Sequence, residues 1–123
     1  MFTVSVETQF KASHSIASPG GSPEPQHEHF WAVSAEVSVD KLDGNGVAVD
    51  FARLKARLND ITSKLSGALL NDIDYFQKNG PTSESVALYV FQRLEPSVPE
   101  GVRLESVTVS EQVGCWARYR KSS

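Results

Sequence analysis

His27-Glu28-His29-Phe30-Trp31-Ala32-Val33-Ser34-Ala35-Glu36-Val37-Ser38-Val39 is the stretch on which the fold turns. His27, His29, Trp31, Val33, Ala35, Val37 and Val39 share one parity, and Glu28, Ser34, Glu36 and Ser38 share the other. Such alternation describes a strand with one buried face, because successive side chains leave a strand on opposite sides. The two histidines lie on the apolar face, where the imidazoles of adjacent pleats converge. His14 is the only other histidine in the chain and can join them. Three neutral imidazoles with a fourth position open match a catalytic zinc site better than a closed structural one, which usually recruits thiolates. The single cysteine, Cys115, agrees with that reading. The competing reading is a half-exposed strand that carries two histidines and binds no metal.

On the N-terminal side, Phe2, Val4, Val6 and Phe10 alternate with Thr3, Ser5, Glu7, Gln9 and Lys11, so a first strand runs up to His14. The segment from Ala17 to Pro25 has three prolines and no periodicity. It reads as a loop of about a dozen residues, a length that is uncommon unless the loop is functional. It leaves His14 and returns to His27, which places it beside the histidines.

On the C-terminal side, Asp43-Gly44-Asn45-Gly46 is a turn, and Val47 and Val49 extend briefly before Asp50, a candidate helix N-cap. Phe51, Leu54, Leu58, Ile61 and Leu65 keep intervals of three and four, which makes one helix amphipathic. Ser66-Gly67 ends it, and a loop runs on to Asn79-Gly80-Pro81-Thr82. A second helix follows, capped at Thr82 or a neighbouring serine, with Glu84 in its first turn and Val86, Ala87, Val90, Phe91 and Leu94 as its buried stripe. Pro96 and Pro99 stop it. Two last strands, from Val102 to about Val113 and from Cys115 to Tyr119, join near Gly114. The order β-β-α-α-β-β describes an α+β fold, an antiparallel sheet with both helices on one face.

With 123 residues the chain has room for one core, so residues 1–123 are expected to form a single domain. The net charge of −3 and the absence of any basic block give no reason to invoke nucleic acid or membrane. One cysteine makes no internal disulfide, and the start Met1-Phe2-Thr3-Val4 lacks the pattern of a signal peptide. A cytoplasmic location is expected.

Over nearly its whole length the chain resembles the 6-pyruvoyl-tetrahydropterin synthase and 6-carboxy-tetrahydropterin synthase family. The matching pieces are Phe10-x-Ala12-x-His14, His27-x-His29, Gly46-Val47-x-Val49-Asp50-Phe51-x-x-Leu54-Lys55, Leu70-Asn71-Asp72, Asn79-x-Pro81-Thr82-Ser83-Glu84, and Val109-x-Glu111 followed by Tyr119. The resemblance implies the tunnelling fold, in which trimers close a barrel from their sheets and two trimers stack into a homo-hexamer with sites at subunit interfaces. It implies zinc on His14, His27 and His29, and a pterin whose pyrimidine ring is anchored by Glu111 with help from Thr82. A carboxylate suits that task, because it accepts two parallel hydrogen bonds from a ring N–H and an amino group. An exposed strand residue is the commoner place for a glutamate, but Glu111 shares the parity of Val107 and Val109. Glu84 is explained by the helix dipole alone.

The chain also departs from the family. Where the family has a catalytic cysteine, four residues before the His-x-His, stands Pro23. The family's His-Gly-His is His27-Glu28-His29, and its catalytic Asp-His pair corresponds to Ser66 and Gly67. Some members without the cysteine use a glutamate near it, which makes Glu24 the candidate base here, since Glu28 should point away from the histidines. Three functions follow. The protein is a zinc-dependent carbon–oxygen or carbon–carbon lyase acting on a dihydroneopterin-type substrate. Or it binds a pterin or purine-like ring with the usual turnover weak or absent, or with a different zinc-assisted reaction such as aldol-type cleavage. Or its zinc only braces the fold, against which the presence of Glu111 and Thr82 speaks.

Overall fold

The computed structural model describes residues 1–16 and 25–122. Its strands are β1 (Phe2–His14), β2 (His27–Val39), β3 (Val102–Gln112) and β4 (Cys115–Tyr119). Its helices are α1 (Phe51–Ser63), α2 (Asp74–Asn79) and α3 (Ser83–Leu94), with single 3₁₀ turns at Leu70–Asp72 and Glu95–Ser97. The four strands form one antiparallel sheet in the order β1-β2-β3-β4. The long second strand read from the histidines is present with the expected ends, and its apolar parity is buried from Trp31 to Val39.

The helices cover one face of this sheet, with α1 against β1 and α3 against β3 and β4. Leu54, Leu58 and Ile61 of α1, and Val86, Ala87, Val90, Phe91 and Leu94 of α3, meet Val6, Phe10, Trp31, Val33, Ala35, Val37, Val107 and Val109 in one apolar cluster. Both expected caps are in place. The Asp50 carboxylate accepts from the N–H groups of Ala52 and Arg53 at 3.0 and 3.4 Å, and the Thr82 hydroxyl accepts from the Ser85 N–H at 3.1 Å.

Four local features differ from the expected pattern. The segment after Leu70 folds into a 3₁₀ turn and the short helix α2, whose Phe76 is buried beside Tyr89 with ring centroids 5.3 Å apart. Less than two helical turns leave no periodic stripe to read, so this helix is held by packing rather than announced by pattern. Val47 and Val49 form no strand; the backbone there is irregular around a turn in which the Asp43 carboxylate accepts from the N–H groups of Asn45 and Val47. Phe51 belongs to the apolar stripe yet is 57% exposed, because helical side chains lean toward the N-terminus and the first one leans past the helix end. β3 is also bulged twice. The register against β2 slips between Glu36 and Val37, and that against β4 slips between Val109 and Gln112, so the second bulge falls beside Glu111.

Candidate metal centre

The register of β1 against β2 assembles the histidines. His14 is opposite His27 and Ala12 is opposite His29, so three imidazoles occupy one patch at the end of the sheet. Their ring centroids are 5.1 Å (His14–His27), 5.1 Å (His14–His29) and 4.8 Å (His27–His29) apart, each pair edge to face. One ligating nitrogen from each ring lies within 4.8 Å of the others. Trp31 makes the floor. Its ring stands edge-on to His14 at 5.0 Å and stacks on Phe10 at 5.9 Å, while its indole N–H donates to the Ala12 carbonyl at 3.1 Å. This surface is apolar, and its one polar atom is satisfied.

His14 is buried, and its Nδ1 lies 2.7 Å from the carbonyl oxygen of Pro81. A carbonyl only accepts, so Nδ1 carries the proton and, in the neutral ring, Nε2 presents its lone pair to the site. That nitrogen is 2.8 Å from Oε2 of Glu111, and Nε2 of His29 is 3.7 Å from the same oxygen. Although the first distance is short, both His14 Nε2 and Glu111 Oε2 are buried without an aligned hydrogen bond. A lone pair and a carboxylate oxygen in such proximity repel unless a cation lies with them. Three histidine nitrogens and an anionic neighbour fit zinc in donor type and in number, with room for a fourth ligand.

Glu111 keeps the parity of the buried Val107 and Val109, and a bulge in β3 adjoins it. One residue beyond the last β2–β3 pair, Ala32 opposite Ser110, the strand is disrupted, and the Ser110 hydroxyl closes the bulge onto the carbonyls of Gln112 and Cys115 at 2.8 and 2.6 Å. The other oxygen of Glu111 lies 3.4 Å from the Ser83 hydroxyl at the head of α3. Thr82 is half-buried next to it, and its hydroxyl is engaged with the N–H and hydroxyl of Ser85. His14, His27, His29 and Glu111 therefore come together, with Thr82 adjoining through Ser83. Glu28 points to the other face and pairs with Lys11 at 3.2 Å. Glu84 is exposed in the first turn of α3. Pro23 and the candidate base Glu24 lie outside the described residues. Ser66 and Gly67 are exposed, and Gly67 has φ +77° with its N–H donating to the Lys11 carbonyl at 2.7 Å. Two contributors escaped the sequence reading. Pro81 acts through a backbone carbonyl, which residue type does not encode, and Ser83 was overshadowed by the cap beside it.

The sequence model of one family, described as 6-pyruvoyl tetrahydropterin synthase, matches residues 3–122. The chain belongs to that family. It is 34% identical over 119 residues to a putative 6-carboxy-5,6,7,8-tetrahydropterin synthase of Archaeoglobus fulgidus, covering 96% of this chain and 95% of the relative. It is 28% identical over 102 residues to a dihydroneopterin monophosphate aldolase of Pyrococcus furiosus, covering 83% and 86%. Among solved structures, 6-pyruvoyl tetrahydropterin synthase of Caenorhabditis elegans superposes with a TM-score of 0.80 at 23% identity, covering 98% of this chain and 96% of the other. The synthase of Plasmodium vivax, in a variant whose catalytic glutamate is replaced by alanine, superposes with a TM-score of 0.74 at 19% identity, covering 99% and 98%. The four-stranded antiparallel sheet with helices on one face is the fold of this family, and the three histidines are consistent with the family's zinc site.

Proposed function

We propose that this family member holds one zinc ion on His14, His27 and His29 and binds a pterin-like ligand of the dihydroneopterin type through Glu111 and Thr82, with the usual lyase turnover weak or absent. The observation that carries the reading is the half-buried Glu111 carboxylate, whose Oε2 is buried at the open nitrogens of His14 and His29 and so sets a charged acceptor beside a metal-ligand set. Zinc, when bound, supplies a Lewis acid that polarises the hydroxyls of the ligand's side chain and acidifies the adjoining C–H. The chain's own residues do the rest. Glu111 accepts from ring N–H and amino groups in a charge-assisted pairing that a neutral side chain could not match. Trp31 closes the floor against water. At the positions of the family's Asp-His pair, Ser66 offers a hydroxyl that is no base near neutral pH and Gly67 offers no side chain. A positioned acid or base contributes roughly 10²–10⁴-fold, so turnover without one falls by orders of magnitude.

A second reading is favoured by one comparison. The Plasmodium vivax synthase has a catalytic glutamate, and Glu24 is the residue of this chain that would take the proton if turnover is retained. Assembly as a homo-hexamer of two stacked trimers is part of the proposal, supported by the family and by the sheet edges at β1 and β4, which have no further strand partner among the described residues.

Titration with a neopterin tests the binding half. Wild type should bind, and Glu111→Gln should weaken binding by about 1.5–3 kcal/mol, the range of a charged hydrogen bond; equal affinities would remove Glu111 as the ring anchor. Release of triphosphate or acetaldehyde from dihydroneopterin substrates tests the catalytic half. Little turnover is expected, and rapid turnover abolished by Glu24→Gln would replace the binding-protein reading by that of an active lyase.

A further inference from the structure

His14 is the last residue of β1, and strand ends fray unless something holds them. The segment that follows α1 holds this one along the edge of β1 that faces away from β2. The Gly67 N–H donates to the Lys11 carbonyl at 2.7 Å, the Ser13 N–H donates to the Ala68 carbonyl at 2.9 Å, and Ser13 bridges Leu69 in parallel. Ser15, next along the same edge and one residue past the last β1–β2 pair, is met by a side chain instead of a backbone. The Asn71 carboxamide accepts from the Ser15 N–H at 2.9 Å and donates to the Ser15 carbonyl at 2.8 Å. A primary amide presents one acceptor and one donor side by side, the pattern of a neighbouring strand. Asn71 thus extends the ladder one step past His14, while the Pro81 carbonyl fixes the ring of the same histidine from the other side. That carbonyl is free for the purpose because the first acceptor within α3 is the carbonyl of Thr82, which takes the Val86 N–H at 2.9 Å.

We propose that Asn71 is a positioning residue for the metal centre. It clamps the backbone after His14 so that, with Nδ1 bonded to Pro81, Nε2 already faces the site before any ion arrives. The inference rests on the reading of the three histidines as a metal site, and it assigns to Asn71 a share of the zinc affinity. Outer partners that orient a ligating histidine typically contribute about 10–100-fold in metal affinity.

The test is zinc affinity, measured on the full chain by competition with a chromogenic chelator, for wild type, Asn71→Ala, Asn71→Asp and the remote core variant Ile61→Val. Asn71→Asp keeps the acceptor for the Ser15 N–H but turns a second oxygen toward the Ser15 carbonyl. Asn71→Ala should bind zinc about ten-fold or more weakly, Asn71→Asp should fall in the same direction, and Ile61→Val should bind like wild type although it is less stable. Wild-type affinity in a folded Asn71→Ala, or equal weakening in Ile61→Val, would overturn the proposal, since a merely structural role lowers stability without singling out the ion. If Asn71→Ala does not fold, Asn71→Asp decides on the same terms. If wild type itself takes up no zinc, the metal reading fails separately. The clamp is then judged by ¹⁵N NMR of metal-free protein, where wild type should show His14 protonated at Nδ1 in a single environment and Asn71→Asp a mixture. Identical spectra would end the proposal.

Discussion

Gly67 stands where the family resemblance places the histidine of a proton relay. Its φ of +77° lies in the left-handed region, and an added Cβ would meet no atom within 4 Å, so the cost of any side chain is conformational rather than steric. Gly67→Ala should lower unfolding free energy in urea by about 1–2 kcal/mol with an unchanged m-value. An unchanged midpoint would show that the segment adjusts freely. Gly67→His should bear the same strain, so the relay cannot be restored by that substitution without loss of stability. The histidines were legible as single residues, since only three exist and two share a parity. The tautomer of His14 was not, because it is set by the carbonyl of Pro81, a backbone atom 67 positions away.

At the scale of the element, the caps were readable and short pieces were not. Asp50 precedes an apolar stripe and caps α1 through two backbone N–H groups. Asp50→Ala should cost about 1 kcal/mol by thermal or denaturant unfolding, while the number of zinc ions bound per chain stays at the wild-type value. Loss of zinc binding in that variant would mean that α1 is coupled to the metal centre more tightly than its place over β1 suggests. By contrast, α2 has six residues, too few for a stripe, and owes its place to Phe76 and Tyr75 packing on Tyr89. The bulges in β3 left a trace only in hindsight. Leu104 and Val107 are both buried although they differ in parity, and the register shift between them accounts for the switch.

At the scale of the whole molecule, the sheet edges bear on assembly. β1 is 13 residues long and β4 is 5, and each has one side without a strand partner among the described residues. On the sheet face away from the helices, Phe30 is 67% and Trp116 is 62% exposed. Such edges invite pairing with further copies, and closing them into a barrel removes the hazard. Sedimentation at micromolar protein should find a hexamer or its trimer, and a monomer at that concentration would refute the proposed assembly. No helix of the described residues is long and apolar enough to cross a membrane.

The amino-acid sequence by itself determined the two long strands, the two main helices with their caps, the face on which His27 and His29 lie, and the parity that carries Glu111 to the same side. These follow from periodicity and capping chemistry, which are local and therefore written in neighbouring residues. Only the tertiary structure decided that His14 pairs with His27, that Glu111 reaches the His14 nitrogen, that the Pro81 carbonyl meets Nδ1 of His14, and that Asn71 bonds the backbone of Ser15. Each of these depends on register between distant segments or on backbone atoms common to every residue type, so no local pattern in the chain specifies it.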